Sequence, residues 1–163
     1  MKTLLATLVG LVCLATASAI AAPPPGPHPD LDPAQTVDAM LAAMKKNTDA
    51  GIAELFRFSS PRNAQVTGPL ARFTQMMKEN FGDLLGHRDA RQYPAFVDGP
   101  RAKIAVAVQG SDGQVHHYGF LLMRQEGAAC DGCWMADAVV NLDEAPGEGP
   151  PGDDGLAPGE QPT

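Results

Sequence analysis

Two periodicities divide the chain. Val37, Met40, Leu41 and Met44 fall at i, i+3, i+4 and i+7, which is the apolar stripe of a helix. Asp32 suits its N-cap, Pro33 its first position, Lys45 and Lys46 its negative C-terminal end, and Asn47 its stop. A second short helix is expected from about Asp49, with Ile52, Leu55 and Phe56 inward. It must end before Pro61, because Ser60 is pushed to extended geometry. A third opens at Thr67-Gly68-Pro69, turns Leu70, Phe73, Met76 and Met77 inward, and continues, bent near Gly82, through Phe81, Leu84 and Leu85. The methionines on these stripes read as adaptable core filling.

Beyond residue 90 the period shortens to two. RQYPAFVDG, Arg91 to Gly99, predicts a weak strand, and Pro94 puts it at an edge. KIAVAVQ (Lys103 to Gln109) alternates cleanly, Ser111-Asp112-Gly113 signals a hairpin, and VHHYGFLLMR (Val115 to Arg124) predicts the longest strand. CWMADAVV, Cys133 to Val140, is the last, with Trp134 as its anchor. Helices followed by an antiparallel meander make an α+β layer: three N-terminal helices packed on one face of a curved antiparallel β-sheet. An even-numbered loop after Gln109 would put Ile104, Val106 and Val108 on the face of His117, Gly119 and Leu121. Ala105 and Ala107 would then lie beside Tyr118, Phe120 and Leu122. Both faces would be largely apolar, and helices cover only one. That predicts a homodimer through the outer sheet face, unless the long ends or the first helix cover it.

Composition changes this picture at the ends. Met1 and Lys2 precede an apolar run from Leu4 to about Ala15, and Ala17-Ser18-Ala19 and Ala19-Ile20-Ala21 both match small-x-small cleavage sites. Residues 1–21 therefore read as a secretory signal peptide, too interrupted for an anchor needing ~20 apolar residues, which leaves no stable membrane anchor after cleavage. A proline-rich lead-in follows (22–30), then the folded domain (31–142), then an acidic Pro/Gly tail (143–163) expected to be disordered. The formal net charge is −7, but without the leader's lysine and the tail's acids the remainder holds 13 acids against 11 bases. A near-neutral domain has no basic face for a phosphate backbone, so nucleic acid is excluded as a partner.

Export decides the sulfur chemistry. Cys13 leaves with the leader, and Cys130 and Cys133 remain as an even pair in a periplasmic or secreted protein. Such a pair can be a redox couple, half a metal site or a staple. A redox couple belongs at a helix N-terminus, and the segment after Cys133 reads as a strand. His116 and His117 would lie ~25 Å away along a strand rising ~3.3 Å per residue, too far to complete a metal site. Cys-Asp-Gly-Cys suits a β-turn, and a disulfide across it is the favoured reading. His116 and His117 point to opposite faces, one toward solvent and one as a satisfied polar group, and no metal cluster or cofactor motif stands out. In Ser59-Ser60-Pro61-Arg62-Asn63 the first reading is a structural turn; the second is that Arg62 and Asn63 receive an anionic ligand.

Helices nested in a bent antiparallel sheet, in this order, resemble the nuclear transport factor two-like (cystatin-like) cone. Phe56–Met77 (FRFSSPRNAQVTGPLARFTQMM), Leu84–Ala90 (LLGHRDA), Leu121–Gly127 (LLMRQEG) and Cys133–Val139 (CWMADAV) resemble a domain-of-unknown-function family of that superfamily. The resemblance spans about Asp32 to Val140. It implies a conical fold, and from the isomerases of the superfamily it implies a carboxylate base deep in the cone, for which Asp137 is the candidate, with Tyr118 or His117 as hydrogen-bond donor. The leading expectation is an exported, non-catalytic domain that binds a small apolar ligand or assembles as a dimer. The alternatives are an isomerase or dehydratase with Asp137 as base, and a thiol redox protein working through Cys130 and Cys133.

Overall fold

The structure is a computed structural model, and it describes residues 26–127 and 130–144. The expected leader, the start of the proline-rich lead-in and the tail beyond residue 144 lie outside the described residues. Four helices come first: α1 (Pro33–Lys45), α2 (Asp49–Phe56), α3 (Pro61–Thr67) and α4 (Leu70–Asn80). Five strands come after them: β1 (Asp89–Gln92), β2 (Phe96–Asp98), β3 (Arg101–Gln109), β4 (Val115–Arg124) and β5 (Trp134–Asn141).

Local chemistry fixes the helix ends. Asp32 and Gln35 form a reciprocal capping box: the Gln35 N–H donates to Asp32 Oδ1 at 2.8 Å, and the Asp32 N–H to Gln35 Oε1 at 3.0 Å. Asn47 stops α1 in the left-handed region, with φ 48°. Thr48 caps α2 through the Gly51 N–H. A Cβ on Gly51 would stand 2.5 Å from the Ala43 carbonyl, so glycine lets α2 start this close to α1. The Ser60–Asn63 turn expected from sequence is instead the start of α3. Ser60 Oγ accepts the Asn63 N–H at 3.1 Å and Pro61 fills the first helical position, so the features read as a turn serve as a helix start. The expected continuation beyond α4 is a set of turns, in which the Leu84 and Leu85 N–H groups both donate to the Phe81 carbonyl.

The sheet is antiparallel with order β1-β3-β4-β5, and β2 also pairs with β3. Pro94 splits the single edge strand expected from sequence into β1 and β2, which makes five strands rather than four. The expected cone is not formed. The sheet is neither closed nor strongly curled: β1 and β2 are short strands on one edge, and β5 ends the other. Among the described residues, the connection between α2 and α3 lies beside the β5 edge. There the Ala136 N–H donates to the Phe58 carbonyl at 2.7 Å, and the Ser60 N–H to the Ala136 carbonyl at 2.9 Å. The α+β order of helices before strands stands; the conical shape does not.

The register also differs from expectation. Gln109 pairs with Val115, leaving an odd five-residue connection closed by the Gly110 N–H to the Gln114 carbonyl, with Gly113 at φ 86°. One residue of slip exchanges every side chain between faces. Ile104, Val106 and Val108 therefore share their face with Tyr118, Phe120 and Leu122, all at most 2% exposed under the helices. The outer face carries Lys103, Ala105, Ala107, His117, Gly119, Leu121 and Met123, none of them buried. The expected register, which set Ile104, Val106 and Val108 beside His117, Gly119 and Leu121, is thereby corrected. Phe120→Ala should cost about 3–5 kcal/mol in urea unfolding, whereas Met123→Ala on the outer face should cost less than about 1 kcal/mol; the slipped register predicts the reverse ranking.

Candidate functional site

The irregularity in the sheet sits where the strongest candidate residue lies. Leu121 pairs with Ala138 but Leu122 with Ala136, so Asp137 is the extra residue of a β-bulge. The bulge resets the alternation: Ala136 and, beyond it, Val139 pack on the core, and Asp137 belongs to neither regular row. Its side chain, 19% exposed, lines a cavity of about 370 Å³ between α1, α4, α3 and β5. Met40, Met44, Phe73, Met77 and Leu84 supply apolar walls from α1, α4 and the turns beyond it.

Polar groups gather on one side. Arg62 and Asn63 on α3 line the same cavity, and Arg62 Nη1 stands 3.9 Å from Asp137 Oδ2. That separation exceeds a hydrogen bond of ~2.7–3.2 Å, and the guanidinium side is 81% exposed. The pair is therefore a loose ion pair whose donors remain open to a third group. α3 buries none of its own residues. Arg62, Asn63 and Asp137, named separately from sequence, are thus brought together on one pocket.

The other candidates are not brought there. Tyr118 lies on the core face, 1% exposed and against Phe81 with ring centroids 6.2 Å apart, and is not among the cavity-lining residues. Burial, and after it the nearby Asp83 carboxylate, push its hydroxyl up to about 12. His117 points from the outer face to Asp143: its Nδ1 lies 2.9 Å from Oδ1, and its backbone N–H donates to Oδ2 at 2.8 Å. These contacts, the backbone hydrogen bond first, hold the Asp143 carboxyl below its usual range. Asp143, assigned from sequence to the tail, is in this way tied to the sheet. The isomerase grouping of Asp137 with Tyr118 or His117 is not assembled.

Cys130 and Cys133 form a disulfide across the β4–β5 turn, with Cα atoms 5.6 Å apart, and Cys133 precedes a strand rather than a helix. Cys133 is fully buried, while Cys130 is partly exposed beside a shallow groove that Arg57 and Met135 also line. Sequence reasoning missed a second cluster at the opposite end of β4, where Asp83, Asp112 and His116 each present one ligand atom within 4.8 Å of the others. Only the Asp112–His116 spacing, four residues across a hairpin, was legible; Asp83 arrives by packing.

Among the described residues no helix is long and apolar enough to cross a membrane. For Tyr118 the folded value of about 12 exceeds the unfolded value of 10, so the native state holds the proton more tightly. The stabilisation is complete below pH 10 and is lost as pH rises toward 12. Stability should fall by roughly 2–3 kcal/mol across that window, measured by urea unfolding, and Tyr118→Phe should remove that part of the slope.

Comparison with protein-family models, with curated proteins and with solved structures finds no match for this chain.

Proposed function

We propose that this is an exported domain that binds one small, mainly apolar molecule in the cavity between the helices and β5. The observation that carries the reading is the cavity itself. Its volume of about 370 Å³ falls in the range of ligand pockets, ~300–1,000 Å³, and such pockets pair apolar walls with a few convergent polar groups. Here methionine and phenylalanine side chains form the walls, and Arg62, Asn63 and Asp137 form the polar side. Methionines suit a ligand of irregular shape, because they repack at small cost. Arg62 and Asn63 offer donors and Asp137 an acceptor, so a ligand with one polar end is oriented by that end. Asp137 faces whatever enters, so proton transfer at this carboxylate would use the same site.

A second reading rests on the sulfur pair. Cys130 is the accessible sulfur and Cys133 the enclosed one, which is the asymmetry by which an external thiolate attacks one sulfur and releases the other. A groove beside Cys130 gives that attack a place to dock. Against it, neither cysteine stands at a helix N-terminus, the usual seat of a redox pair, because β5 and not a helix comes after Cys133.

Native mass spectrometry of the chain purified from its own host should show a small-molecule adduct, and Met76→Trp, which fills the cavity from α4, should abolish it. A clean apo mass in the unaltered chain would sink the binding reading. For the thiols, equilibration with glutathione buffers should place the reduction potential below about −300 mV, as for a structural staple. A value near −200 mV would favour the redox reading instead.

A further inference from the structure

We propose that Asp83, Asp112 and His116 form a binding site for one divalent cation of the zinc class, at the end of the sheet where β3 turns into β4. His116 lies between two carboxylates: Nδ1 is 3.7 Å from Asp83 Oδ2, and Nε2 is 3.6 Å from Asp112 Oδ2. Neither distance is a hydrogen bond. The Nε2 atom is fully buried and has no hydrogen-bond partner. An enclosed ring nitrogen without a partner carries a desolvation penalty that folding normally avoids. Coordination removes the penalty, because an imidazole nitrogen turns its lone pair to a metal as readily as to a hydrogen.

The surroundings fit that role. Asp112 is held by its other oxygen, Oδ1, which accepts the Gln114 N–H at 2.9 Å and leaves Oδ2 toward His116. Asp83 comes from the turns after α4, so the site ties the helical layer to the β3–β4 hairpin. Two carboxylates and a neutral imidazole supply two negative charges, matching a dication. One nitrogen and two oxygens suit zinc, cobalt or nickel, whereas calcium and magnesium take oxygen ligands. Three protein ligands leave a coordination position for water. Asp83 and Asp112 are about half exposed, at 45% and 49%, so the cation reaches the site from solvent. None of the three residues lines the cavity beside β5, and the cysteines lie at the other end of β4, so this site is independent of both.

Isothermal titration of the exported full chain, stripped with chelator and titrated with zinc chloride, tests the assignment. One zinc per chain should bind with micromolar affinity. His116→Gln should weaken binding at least 10-fold and Asp112→Asn 10-fold or more. His116 packs near the core, so the exposed Asp112→Asn variant, with its thermal melt checked against the unaltered chain, gives a readout free of misfolding. Absence of zinc binding, or undiminished affinity in a folded Asp112→Asn variant, overturns the proposal; in the second case zinc sits elsewhere, as at His28 or the His117–Asp143 pair.

Discussion

Burial of a single apolar face of the sheet is the constraint on which the rest of the architecture depends. Ile104, Val106 and Val108 on β3 meet Tyr118, Phe120 and Leu122 on β4, and all six are shut from water by the helical layer. At ~1.5–3 kcal/mol per fully buried large apolar side chain, this patch outweighs any surface ion pair here, worth ~0–1 kcal/mol. It dictates that α1 lies across β3 and β5. It also fixes which of two adjacent histidines turns inward: His116 shares the core row and His117 the outer one. The chemistry available at the two ends of β4 follows from that parity.

A second irregularity is built on top of the first. A regular β5 would have placed Asp137 on the outer face and Ala138 toward the helices. Inserting Asp137 as a bulge keeps Ala136 in the core, brings Val139 there as well, and leaves the carboxylate beside α3. The same place on the sheet is where Ala136 exchanges hydrogen bonds with Phe58 and Ser60, so β5's outer edge is covered at its middle. Covering an edge with a connection suppresses pairing with another chain. The pocket is thus a by-product of edge protection: the segment that covers β5 continues into α3, and α3 carries Arg62 and Asn63 to the carboxylate.

How much of this was legible depends on which features are local. The α1 stripe, its Asp32 cap, its Asn47 stop and the alternation of β3 and β4 are written in consecutive residues, and the structure reproduces them. The Cys130–Cys133 turn was legible for the same reason: four residues fix a Cα separation. The failures turned on a count of one. Three central residues in the β3–β4 connection need a flanking pair, Gly110 and Gln114, that sequence assigned to neither strand, and the odd length of five that results reversed the faces. The bulge at Asp137 has no composition signal at all, since glycine is absent there and alanines flank it. The cone was an inference from element order, and order alone does not set sheet closure.

The three chemical groupings are separated by the same strand that organises the core. β4 runs from the Asp83–Asp112–His116 cluster at its start to the disulfide turn past its end, and the pocket lies along its neighbour β5. Ten residues of strand at ~3.3 Å each put the first two roughly 30 Å apart. At that distance the cysteine sulfurs and the histidine cannot share a metal, which removes mixed sulfur–imidazole coordination within one chain. Energetic communication between the ends would have to pass through the packed β3–β4 face, all of it buried under the helices. Ligand binding at β5, thiol chemistry at the turn and cation binding at the hairpin are therefore expected to be energetically independent, each set by its own end of one rigid sheet.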